Sequence, residues 1–191
     1  MAEKPLDLRI QKTHKALIQA FLKLLEEKQF EDITVNEICE LAEVRRATFY
    51  KHFGDKDEFF SFMVREMIAK HREEYQHASS EHEKVQDYYI YVIERTLQFL
   101  ENNDSLMLSL AKSKKLHTMS NMIREELTWE VTTQFREDEK NGVTLPIHPA
   151  SLMASIFTGA LMSGCIWWIE HPGTVSRAAL IEELSVMLLK M

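Results

Sequence analysis

The sequence predicts an all-α protein, and three observations carry the prediction. Five glycines and four prolines in 191 residues are too few for a hairpin-rich β fold, but they suit helices joined by short turns. Apolar residues recur at helical spacing along most of the chain, beginning with Leu17, Phe21, Leu24 and Leu25. Two helix-start signatures, Thr34-x-x-Glu37 and Asp55-x-x-Glu58, stand in front of apolar runs.

The elements follow in order. The first apolar stripe predicts a helix over roughly Ile10 to Lys28. A second opens at Thr34 and carries Val35, Ile38, Cys39 and Ala42 on one face. A third, short helix runs from Arg45 to about His52, with Phe49 and Phe53 four apart and facing inward, and Gly54 is the expected stop. Asp55 opens a long fourth helix whose buried side is marked by Met63, Met67 and Tyr75. The stretches 78–82, 102–105, 141–149 and 171–174 read as loops. Between and after them lie helices through Tyr88 to Leu100, Leu106 to Ala111, Met119 to Glu139, Pro149 to Glu170 and Ser176 to Met191. No repeat or low-complexity segment interrupts the pattern.

Composition sets limits on function. An apolar content of 45% with 28% charged residues suits a soluble globular protein and is too hydrophobic for a disordered one. Cys39 and Cys165 are far apart within apolar helical patterns, which argues against a disulfide framework and for a reducing, cytoplasmic compartment. The N-terminal stretch lacks the apolar core of a signal peptide. His71, His77 and His82 lie five and six residues apart, not at the spacing of helical metal ligands, so no metal and no cofactor is expected. No hydrolase, P-loop or dinucleotide motif is present, so no catalytic residue is assigned.

From Asn141 to Ile169 there is no Asp, Glu, Lys or Arg. The interior Ser, Thr and Gly residues and the missing Lys/Arg flank argue for a helix buried on every side rather than a membrane span. Gly159 and Ser163, with Ala160 and Gly164, put small residues along that helix. Leu180, Leu184, Met187, Leu188 and Met191 make a stripe on the last one. Two such helices from each of two subunits would close a four-helix bundle, which predicts a homodimer.

The net charge of −7 conceals a strong polarisation. Residues 1–23 carry five basic against two acidic residues, and residues 44–56 carry four against one, so each is +3. The intervening residues 24–43 carry one basic against seven acidic residues, a net −6. Two basic edges on an acidic body favour a polyanion in one orientation and repel it in others. Helix, short turn and short basic helix make a helix-turn-helix, whose second helix fits the major groove of DNA. With Phe49 and Phe53 as anchors, Arg46, Ala47, Thr48, Tyr50 and Lys51 face outward. Arg46 can donate two hydrogen bonds to guanine, while Ala47 and Thr48 offer methyl groups to thymine. Lys56, in the first turn of the fourth helix, and Thr34, at the start of the second, are expected to meet phosphates.

The run from Thr34 to Phe59, with its core Thr48-Phe49-Tyr50-Lys51-His52-Phe53, resembles the DNA-binding signature of TetR/AcrR transcriptional regulators. The resemblance implies that residues 1–54 form a DNA-binding domain and residues 55–191 an effector-binding and dimerisation domain. It also implies that Tyr50 and His52 touch the DNA backbone or groove wall. Two residues depart from the pattern. Glu43 stands at a turn position commonly filled by glycine, and Arg45 replaces a frequent serine cap, which leaves Arg45 free for a phosphate. The idea of an effector pocket comes from the resemblance too. Its candidate lining is Tyr88, Tyr89, Phe99, Met107, Met119, Met122 and Trp129. The expected function is a homodimeric repressor, released from double-stranded operator DNA by a small-molecule effector. The alternatives are an activator or coactivator with a protein partner and, more remotely, an all-helical enzyme or interaction adaptor.

Overall fold

Eight α-helices and one 3-10 turn make up the described residues of the computed structural model, 8–78, 85–101 and 116–189, and no strand occurs among them. Helix α1, Leu8–Glu27, buries Leu17, Ala20, Phe21, Leu24 and Leu25, a stripe that repeats every three or four residues. A 3-10 turn that the periodicity does not announce, Phe30–Asp32, follows it. This turn drives Phe30 into the core, edge-on to Phe21 and Phe60.

Helix α2, Val35–Leu41, begins with the expected capping box. The Glu37 amide donates to Thr34 Oγ1 at 3.3 Å, and the Thr34 amide donates back to Glu37 Oε2 at 2.9 Å. The Lys28 ammonium takes the other carboxylate oxygen, and together with Thr34 it holds the Glu37 carboxyl down at about 2. The helix ends in a Schellman turn. The Val44 amide donates to the Cys39 carbonyl at 2.9 Å and the Glu43 amide to that of Glu40 at 3.2 Å. That closure puts Glu43 at φ 54°, in the left-handed region where a Cβ costs about 1–2 kcal/mol. Glu43→Gly should therefore raise the stability of the folded chain by about 0.5–1 kcal/mol, because the relief exceeds the extra backbone entropy of glycine. Thermal unfolding of the two proteins under one condition measures it.

Helix α3 spans Arg46–His52, with Arg45 as an N-cap that makes no side-chain capping bond. Its stop differs from the expected one. Phe53 turns extended (φ −138°, ψ 132°), and Gly54 has no positive φ. Gly54 instead donates its amide to Glu58 Oε2 at 2.7 Å, while the Glu58 amide donates to Asp55 Oδ1 at 2.8 Å. This reciprocal pair opens α4, Lys56–Ala78. Phe49 and Phe53 are buried as expected, in contact with Phe59. Each such side chain contributes about 1.5–3 kcal/mol by leaving water.

The remaining helices are α5, Val85–Glu101; α6, Leu116–Lys140; α7, Ala150–Glu170; and α8, Arg177–Leu189. The short helix expected at Leu106 to Ala111 lies outside the described residues. Helix α6 packs along α7, and α8 lies against α5. The hydroxyls of Thr128 and Thr158 share a hydrogen bond of 2.7 Å across α6 and α7, and buried Tyr89 donates to Asp138 at 2.7 Å across α5 and α6. One core joins α1 to α3 with the first turns of α4 and reaches Met119 of α6. A second fills the space between α5, α6, α7 and α8. Helix α4 thus carries the packing of the N-terminal unit past Gly54.

The uncharged helix is not buried on every side. Ala154, Phe157, Leu161 and Cys165 face the core, but Leu152, Ile156 and Trp167 are exposed. The small residues divide in the same way. A Cβ on Gly164 would stand 3.2 Å from Leu184 Cδ2 of the same chain, so Gly164 lets α8 approach α7. Leu180 and Leu184 are buried in the chain's own core, and Ala160 packs against it. Of the residues expected at a subunit interface, Gly159 has open space before it, while Ser163 and Met187 are exposed. Met191 and the side chains of Leu188 and Tyr75 lie outside the described residues.

Candidate DNA interface and central cavity

Helix α3 is fixed from beneath by Phe49 and Phe53, which decides what it shows to solvent. Arg46, Ala47, Tyr50 and Lys51 are exposed, Thr48 is half-buried, and Arg45 and Thr34 are exposed beside them. The Arg46 guanidinium lies 5.9 Å from the centre of the Tyr50 ring, which steadies it without using its donors. The expected outward set is therefore brought onto one surface. His52 is half-buried, and its ring meets that of His14 on α1 edge-on at 5.0 Å. His14 also touches Phe53 and Phe62. Burial, and secondarily the neighbouring His52, lower the pKa of His14, so this imidazole stays neutral near pH 7 and serves as an aromatic contact between α1 and α3.

Lys56 is placed differently from the expectation. Its ammonium turns back on the 3-10 turn, donating to the Phe30 carbonyl at 2.5 Å and the Ile33 carbonyl at 2.6 Å, with the Glu31 carbonyl at 3.4 Å. It also stands 4.4 Å from the centre of the Phe30 ring. The Phe30 carbonyl also accepts the Ile33 amide at 3.3 Å, and the ammonium adds a charged donor to the carbonyls of the turn. Lys56 thus ties α4 to the segment before α2, and its charge is directed inward rather than at a phosphate.

A cavity of about 160 Å³ lies between α1, α4, α5, α6 and α7. Leu22 and Leu25 of α1 and Phe60, Met63 and Met67 of α4 form the wall nearest the N-terminal unit. Two of the expected pocket residues, Phe99 and Met119, line it. The others do not. Tyr89 is committed to Asp138 and Phe135 in the second core. Met122 packs against the first core outside the cavity lining. Trp129 is 65% exposed on α6. Met107 and the side chain of Tyr88 lie outside the described residues. Sequence reasoning passed over Arg72, Arg95, Thr96, Ser120 and Glu130, which give the apolar wall its polar groups. Cys165, also on the wall, has its thiol pushed up to about 12 by burial and stays neutral there.

A three-helix unit ending in an exposed basic helix, carried on a larger helical body with a central cavity, has the layout of a helix-turn-helix domain joined to a helical one. Residues 17–61, the N-terminal unit, match the family described as bacterial regulatory proteins, tetR family. The HTH-type transcriptional regulator YxbF of Bacillus subtilis is 41% identical over 69 residues, which are 36% of this chain and 18% of that protein. The match thus spans under a fifth of that relative's length. A solved TetR-family regulator from Syntrophomonas wolfei superposes with a TM-score of 0.68 at 15% identity, covering 94% of each chain. The regulator FadR of Bacillus subtilis, solved in complex with stearoyl-CoA, does so with a TM-score of 0.64 at 16% identity, covering 92% of this chain and 97% of that one. At such identities the likeness establishes the fold: an N-terminal helix-turn-helix followed by a larger helical domain.

Proposed function

We propose that this chain is a cytoplasmic, homodimeric repressor that binds operator DNA through α3 and releases it when a small apolar or amphipathic effector enters the central cavity. The observation that carries the reading is the shared wall: Leu25, Phe60 and Met63 belong to the core that supports α3 and also line the cavity. A ligand that displaces them moves α1 and α4 relative to the recognition helix. A dimer's two recognition helices must match half-sites about one helical turn apart, so a small tilt of α4 mis-spaces them. A coupling of about 1–3 kcal/mol, or 5–150-fold in operator affinity, is the expected size. The stearoyl-CoA bound to FadR supports an effector with an apolar body.

In this reading Arg46 makes the base contact, with Ala47, Thr48 and Tyr50 beside it. Thr34, Arg45, Lys51 and His52 serve the backbone. Arg46→Ala should cost about 1–3 kcal/mol on operator DNA and relax discrimination at one base pair per half-site. Lys51→Ala should weaken all sequences alike and shallow the salt slope by about one unit. Genomic fragments retained by the protein supply the operator, and titrations against operator and scrambled DNA check both variants. Equal weakening of both DNAs by Arg46→Ala would reverse the assigned roles. An effector that binds tightly but leaves operator affinity unchanged would overturn the switching mechanism.

A further inference from the structure

The polar groups on the cavity wall are not equivalent. Thr96 donates its hydroxyl to the Val92 carbonyl at 2.8 Å, and Ser120 to the His117 carbonyl at 2.9 Å, so each hydroxyl hydrogen is used within its own helix. Glu130 is 6% exposed, and Arg72 covers it from α4, with Nη1 at 3.1 and 3.3 Å from the two carboxylate oxygens. That pair is neutral as a unit, and removing Arg72 would leave a buried carboxylate unpaired.

Arg95 on α5 has a different environment. Its Nη1 donates to Gln98 Oε1 at 3.1 Å, and its guanidinium carbon lies 5.0 Å from the centre of the Tyr91 ring. Both partners are neutral. The stacking orients the plane of the fork and leaves its remaining edge for a ligand. With the Arg72–Glu130 pair cancelling, the described cavity lining has a net charge of +1, and Arg95 supplies it. Apart from the Thr96 and Ser120 hydroxyls and the neutral Cys165 thiol, the rest of the wall is aliphatic, aromatic or thioether. Along α4 it extends from Phe60 to Arg72, about 18 Å of helix at 1.5 Å per residue.

We propose that the cavity takes an amphiphile with an apolar chain or ring and a single anionic head, and that the Tyr91-stacked Arg95 guanidinium receives that head. The inference rests on the reading of the cavity as an effector site and names the ligand's chemistry. An apolar cavity of similar volume accepts a six-carbon ring, so medium-chain compounds are the fitting probes. A carboxylate and a phosphate share the geometry that a guanidinium fork recognises.

The test uses the full chain and four probes of one chain length: octanoate, octyl phosphate, 1-octanol and octylammonium, each titrated by calorimetry. The expected result is that at least one anionic probe binds about tenfold or more tightly than 1-octanol, with octylammonium weakest. Arg95→Gln should bring the anion's affinity down to that of the alcohol, and Arg95→Lys should retain part of the preference. A thermal melt of each variant confirms that it is folded. Anions that bind no better than octanol, or a preference that survives Arg95→Gln, would overturn the assignment of Arg95 while leaving the cavity as a binding site. Failure of all four probes to bind would overturn the effector reading itself.

Discussion

Lys56→Met should lower the stability of the folded protein by about 2–3 kcal/mol and its melting temperature by about 5–10 °C. The substitution keeps most of the apolar stem beside Phe30 but removes the donor shared by the carbonyls of Phe30, Glu31 and Ile33. Those carbonyls lie between α1 and α2, where the chain makes a single 3-10 turn. The loss therefore falls on the junction that sets the angle between the helix-turn-helix and α4. A phosphate contact would behave otherwise. It would leave the melting temperature unchanged and shallow the salt dependence of DNA binding by about one unit. Thermal unfolding without DNA, together with operator titrations at several salt concentrations, separates the two roles. A variant of unchanged stability with a shallower slope would return Lys56 to the DNA interface.

The difference between Thr34 and Lys56 shows what the sequence could disclose. The capping box at Thr34 and Glu37 is legible because both partners lie within four residues and the geometry is that of any helix start. Phe49 and Phe53 are legible for a similar reason, since an i, i+4 aromatic pair on a short helix has only one face to bury. The partners of Lys56 are carbonyls some 25 residues away, in a turn whose sequence, Phe30-Glu31-Asp32, carries no periodic signal. Pattern reading sees a lysine in the first turn of a helix and assigns it to an anion. Arg72 and Arg95 were passed over because a cavity is the space that several helices leave between them. No single helix encodes it. Trp129 shows the reverse error, since a large aromatic among apolar positions reads as buried until α6 is packed and leaves it outside.

The small-residue helix shows the same limit and leads to the second large effect. Gly159, Ala160, Ser163 and Gly164 lie one turn apart in the sequence, but they divide between two faces of α7. Gly164 admits Leu184 of its own chain, so Gly164→Glu would force a carboxylate against α8 and could not report on a subunit interface. The outward face is Leu152, Ile156 and Trp167, with Gly159 and Ser163 between them. Met187 and Val186 are exposed on α8. If this face closes the proposed two-fold bundle, Ile156→Glu places a charge in a desolvated interface from each subunit. The penalty of several kcal/mol per buried charge should weaken the dimer by more than 100-fold. Ile156 is 40% exposed within one chain, so the isolated fold should lose little, about 0.5 kcal/mol or less. Operator binding should fall with the dimer, because a monomer presents one recognition helix where the operator offers two half-sites. Sedimentation velocity at micromolar concentration and an operator titration of the same sample check both expectations. A folded Ile156→Glu protein that remains dimeric would place the subunit contact on another face.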